Sequence, residues 1–139
     1  MAVTALDAIA RLARVRERTV LELRQRLATK GFEDAEIDAA LRRAEVLGYV
    51  DDRRAATALA TRMLERGASR ALVEDKLVAA GASTALVAEL LEKAPSDRSL
   101  ARSALARRSR GEPLPRERAA RFLGALGFDG MLIEEVLED

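Results

Sequence analysis

The chain has 139 residues, a net charge of +1, and neither cysteine nor histidine. Those absences exclude disulfides, thiolate chemistry, zinc fingers and catalytic triads built on His. Hydrophobic residues make up 49% but aromatics only 3%, so the core must come from Leu, Ile, Val and Ala, a composition suited to packed helices. The first residues, "MAVTALDAIARLARVRERTV", hold no apolar run long enough for a signal peptide or a membrane span. A cytoplasmic protein without membrane contact is expected.

The first predicted helix covers roughly 4–17, with Ile9, Leu12 and Ala13 on one face. The second, 19–30, opens on "TVLE", a capping box in which Thr19 and Glu22 satisfy each other's backbone donors. Its apolar stripe is Val20, Leu23 and Leu27. Gly31 and Phe32 end it, and a third helix over 34–47 places Ile37 and Leu41 on its buried side. Asp34 is the expected cap of that helix.

The offsets from Leu27 recur. From Leu77 they give Gly81, Ala82, Val87 and Leu91; from Leu123 they give Gly127, Phe128, Ile133 and Leu137. Three copies of one pattern predict three repeats, 1–50, 51–95 and 96–139, each of three helices. In the second repeat the helices are expected at 52–66, 69–80 and 84–93, and in the third at 97–109, 115–126 and 130–138. Each Gly is placed where a helix end needs a left-handed residue. Ser83 and Asp129 are the expected caps of the helices that follow, and Pro115 takes the place held by Thr19 and Ser69. The fold class that follows is all-α, with tandem three-helix repeats stacked into an elongated, slightly curved array.

The stretch "LGYVDD" joins the first repeat to the second. Gly48 is expected to stop a helix, Tyr49 to pack in the joint, and Asp51 or Asp52 to cap the next helix. Two carboxylates among Ala and Arg have neither the convergent groups of an acid–base site nor the oxygens of a metal cage. No catalytic residue, metal or cofactor is predicted, and the chain lacks a P-loop or a nucleophile with a base.

The run "RTVLELRQRLATKGFEDAEIDAALRRAEVLGYVDDRRAA" resembles the first repeat and junction of the RecX family of recombination regulators, whose members show a Leu-Gly-Tyr-(Ile/Leu/Val)-Asp-Asp junction and then Phe-Ala. "PLPRERAARFLGALGFDGMLIEEVL" resembles the family's C-terminal repeat. Two departures are Ala55, where the family has Phe, and Ala82, where the other two repeats have Phe. The resemblance implies tandem three-helix repeats and a protein that binds the RecA filament on single-stranded DNA. It also implies inhibition of the filament's ATPase, strand exchange and co-protease activities in recombination and the SOS response. A monomer is expected.

Charge is segregated along the chain. Residues 1–30 carry seven basic and three acidic side chains, 31–97 nine and thirteen, 98–121 eight and two, and 122–139 none and five. Such blocks can steer a charged partner. The candidate partner-binding residues are Arg24, Arg26 and Lys30 in the first repeat and Arg102, Arg107, Arg110, Arg118 and Arg121 in the third. The alternative function is a helix-turn-helix-like DNA-binding regulator. The acidic last helix and the scarcity of aromatics limit direct DNA contact to a weak, salt-sensitive one.

Overall fold

The computed structural model describes residues 3–139, which form nine α-helices and no strand. They are α1 (Ala5–Val15), α2 (Val20–Thr29), α3 (Asp34–Leu47), α4 (Asp52–Glu65), α5 (Arg70–Ala79), α6 (Thr84–Glu92), α7 (Asp97–Ser109), α8 (Arg116–Ala125) and α9 (Gly130–Glu138). Every expected helix is present, with ends displaced by no more than two residues.

Local chemistry sets these boundaries. Thr19 accepts from the Glu22 amide at 3.1 Å while the Thr19 amide donates to Glu22 at 3.0 Å, the expected capping box. Thr4 and Asp7 form a second box at the start of α1. Ser83 and Asp129 cap α6 and α9 through the Leu86 and Leu132 amides. Asp34 does not cap α3: it is already the first helical residue, and Glu33 in the cap position makes no side-chain bond. An acid inside the first turn still meets the positive end of the helix dipole. At the helix ends, Phe32, Ala82 and Phe128 donate their amides to the carbonyls of Leu27, Leu77 and Leu123 at 3.2, 3.0 and 3.3 Å. The preceding glycines have φ of +95°, +92° and +97°, so each turn is a six-to-one cap closed over a left-handed residue.

Packing gathers the helices into two compact units. One takes the chain up to Leu59 together with Leu77–Leu86; the other takes Ala60–Lys76 with Val87–Asp139. In the first, α1 and α2 pack on α3, burying Ile9, Leu23, Leu27, Ile37, Leu41 and Ala44. In the second, α7, α8 and α9 pack together around Leu100, Ala101, Leu123, Phe128, Ile133 and Val136. The anchor leucines of the repeat, Leu27, Leu77 and Leu123, are all 0% exposed.

The repeat also fixes a contact between turns and helix starts. Within the first unit the α5–α6 turn sits on the start of α2: the Thr19 hydroxyl donates to the Ala80 carbonyl, and the Asp52 carboxylate accepts from the Val20 amide at 2.8 Å. Within the second, the α8–α9 turn sits on the start of α5. There the Ser69 amide donates to the Leu126 carbonyl at 2.8 Å, and Asp97 accepts from the Arg70 amide at 2.9 Å. One arrangement is thus built twice from aligned residues. Thr19→Val keeps the shape but removes both the cap and the bond to Ala80. It is expected to cost about 2 kcal/mol, read from denaturant midpoints, because a buried carbonyl and a helix amide lose their partner together.

One expectation about the junction holds and one needs correction. Asp51 caps α4 as expected, accepting from the Arg54 amide at 3.0 Å, while Asp52 is the first residue of α4 and accepts from the Val20 amide of α2. Gly48 is left-handed as expected, at φ +79°. Tyr49, however, is 39% exposed and Val50 is the buried residue at 2%. The Tyr49 amide closes the cap on the Ala44 carbonyl at 2.9 Å, and the residue lines a surface depression with Ala10, Ala13, Arg14, Glu17 and Arg54. Tyr49→Ala is therefore expected to cost only about 1 kcal/mol, well short of a core truncation, in the same denaturant assay.

Candidate partner-binding surface

The basic block of 98–121 lies on α7, α8 and the loop between them, within one unit with the acidic α9. Much of its charge is neutralised there. Arg98 pairs with Glu135 and, at 3.5 Å, with Asp139; Arg102 pairs with Asp139; Arg116 reaches Glu134 at 2.5 Å. The hydrogen bond from Arg102, and then the nearby Arg102 and Arg98 charges, hold the Asp139 carboxyl below its ordinary pKa of 3.8. A depressed carboxylate pKa stabilises the fold above pH 3.8 and loses that contribution as pH falls through the lowered value. Arg107 donates to the Glu65 carbonyl.

What remains is Arg108, Arg110, Arg118 and Arg121, none of which has a carboxylate or carbonyl partner among the described residues. Arg110 closes α7 in the left-handed region at φ +37° and is exposed. The other three converge. Arg118, Arg121 and Phe122 share one face of α8 through their three- and four-residue spacings. The Arg108 guanidinium, in the last turn of α7, lies 6.0 Å from the centre of the Phe122 ring, within cation–π range. With Leu114 they line an open depression of about 250 Å³.

The first unit is less focused. Arg24 is tied to Asp38 at 2.6 Å. Arg26 and Lys30 are exposed and have no acidic partner among the described residues. Lys30 borders a second depression, of about 300 Å³, with Val3, Ala8, Arg11, Leu12 and Phe32. Of the eight residues expected from the sequence, Arg24, Arg102 and Arg107 are thus engaged internally. Arg26, Lys30 and Arg110 stand apart, and only Arg118 and Arg121 are brought into a shared site.

Two arginines escaped the sequence reading. Arg108 gains its place from the Phe122 ring, a contact that no spacing reveals. Arg18 is only 9% exposed, and its Nε is buried without a hydrogen-bond partner. Burial, followed by the nearby Arg16 and Arg26 charges, lowers its pKa. It lies two residues ahead of α2, and its burial has no sequence signal.

Among the described residues no group of three or more acidic, Cys or His side chains could hold a metal. Among the same residues no helix is long and apolar enough to cross a membrane.

Residues 5–43 match the family model for the first three-helix domain of RecX. No curated protein matches the chain by sequence. Among solved structures, the crystal structure of regulatory protein RecX is similar over 97% of this chain and 70% of its own, with a TM-score of 0.70 and 17% identity. The RecX structure from Lactobacillus salivarius is similar over 96% of this chain and 92% of its own, with a TM-score of 0.68 and 14% identity.

Proposed function

We propose that this chain, whose residues 5–43 belong to the first three-helix domain of the RecX family and whose fold is that of RecX over 97% of its length, regulates recombination by binding the RecA filament on single-stranded DNA. It acts in the cytoplasm and inhibits the filament's ATPase, strand exchange and co-protease activities. The observation that carries this reading is the family match at the N-terminal domain, and the fold shared along the rest of the chain supports it. A repeat body with exposed charge suits an extended partner, and the unpaired arginines of α7 and α8 supply the charge that steers approach.

The direct test is DNA-dependent ATP hydrolysis by RecA from the same organism, titrated with this protein. Substoichiometric addition should slow hydrolysis, because one bound molecule touches several RecA subunits. Tight binding to naked DNA at physiological salt, with no effect on RecA at matched concentrations, would instead identify a DNA-binding regulator. The inhibition should weaken as salt rises, since exposed charges beyond roughly 8 Å are screened at physiological ionic strength.

A further inference from the structure

We infer that the depression between α7 and α8 is a binding site for a short acidic peptide segment carrying an apolar side chain. This rests on the reading above and names the chemistry by which the partner would be held.

Selection among the arginines is the first argument. Eight arginines fall in 98–121. Arg98 and Arg116 are neutralised by acids of α9 and Arg102 by Asp139 just beyond it, and Arg107 is held by a carbonyl. Three of the four left over line one concavity of about 250 Å³. Like charges brought together at one surface repel, and among the described residues no carboxylate pairs with any of the three to offset that repulsion. An anion seated between them would offset it.

The floor is the second argument. Leu114 and Phe122 are both partly buried, and Phe122 is packed against the core. They offer an apolar base under a cationic rim. A free phosphate or sulfate would use the rim and waste the floor, whereas a peptide with carboxylates on either side of a Leu or Phe uses both. Guanidinium groups suit carboxylates especially well, because their donor forks match the two oxygens.

Nucleic acid is the competing ligand, and the geometry disfavours it. Base stacking needs an open aromatic face, but the Arg108 guanidinium takes one face of the Phe122 ring, so the floor offered to a ligand is what remains of the ring together with Leu114.

Three fluorescein-labelled probes test this against the full chain by anisotropy: an acidic decapeptide of Glu with two Leu, the same peptide with Ser in place of Leu, and a ten-nucleotide oligothymidylate. The Leu peptide should bind at least about fivefold more tightly than either of the others, since only it engages the floor and the rim together. Arg118→Glu with Arg121→Glu should weaken it by roughly tenfold or more, and Leu114→Ser should reduce it to the level of the Ser peptide. Arg42→Glu with Arg43→Glu, exposed on α3 of the other unit, should leave binding within about twofold. Circular dichroism melts confirm that each variant is folded. The proposal is overturned if the oligonucleotide binds as tightly as the Leu peptide. It also fails if the Arg118/Arg121 variant binds normally, or if the Leu peptide shows no saturable binding up to about 1 mM, the weak end of useful affinity. RecA ATPase separates the two readings. Normal inhibition by wild-type protein alongside failed peptide binding sinks only the site, while peptide binding without any effect on RecA sinks only the assigned function.

Discussion

Leu27→Ala and Leu123→Ala should each destabilise the protein by about 4 kcal/mol, near the upper part of the range for buried leucines truncated to Ala. Both side chains are 0% exposed, and each anchors the core of its own unit. Both residues also carry the carbonyl that closes the six-to-one cap, through Phe32 and Phe128 respectively. The cavity therefore opens beneath a turn whose aromatic residue packs on the same core, and relaxation that fills it would pull on the cap. A loss of that size is a large part of the roughly 5–15 kcal/mol that holds most domains. It should lower the melting temperature by about 14 °C. Val46→Ala on α3, at 77% exposure, is the control and should change stability by about 0.5 kcal/mol or less. Urea titrations followed by circular dichroism check all three. If either leucine variant costs no more than the Val46 control, the repeated leucine is not the core anchor that its burial indicates.

The parts of the fold legible in the sequence are those decided within a few residues. The period of Val20, Leu23 and Leu27, the capping box of Thr19 and Glu22, and the glycines after each anchor leucine are all local statements. The helices accordingly fall where they were expected. Tyr49 shows where that logic stops. The residue after a left-handed Gly must donate its amide back to the helix, but nothing local fixes where its side chain goes, and here Val50 takes the interior. Asp52 is a second case. Its carboxylate satisfies an amide 32 residues away, so sequence indicates a capping residue without showing which helix it caps. Charge was the least legible property. Blocks of +6 and −5 in linear order suggest fields that steer a partner, yet Arg98, Arg102 and Arg116 fold onto Glu135, Asp139 and Glu134 and cancel there. Net charge over a segment counts every ion, whereas a partner meets only those left unpaired. Arg108, Arg118 and Arg121 are therefore a finding of tertiary structure.

The repeated glycines allow a sharper test, because the same residue occupies three turns with different surroundings. Gly31, Gly81 and Gly127 share φ values between +92° and +97°, so replacement by Ala costs each about the same backbone strain, on the order of 1–2 kcal/mol. Their neighbours differ. A Cβ on Gly31 would meet nothing within 4 Å, whereas on Gly127 it would lie 2.5 Å from Ser69 Oγ and 2.9 Å from Leu72 Cβ. Ser69 cannot simply rotate away, since its hydroxyl caps the Leu72 amide at 3.1 Å. The turn must lift instead, and lifting breaks the bond from the Ser69 amide to the Leu126 carbonyl. Overpacking of this kind adds about 2 kcal/mol, which gives Gly127→Ala a total of roughly 4 kcal/mol against roughly 1.5 for Gly31→Ala. Gly81→Ala, 2.7 Å from Leu21 Cβ, should fall near Gly127→Ala. Denaturant midpoints rank the three variants, and hydrogen exchange at the Ser69 amide reports the broken bond. Equal losses for Gly31→Ala and Gly127→Ala would mean that the seated turn contributes nothing beyond its own backbone. The glycines would then recur only to end helices, and not to let each turn approach the helix start on which it rests.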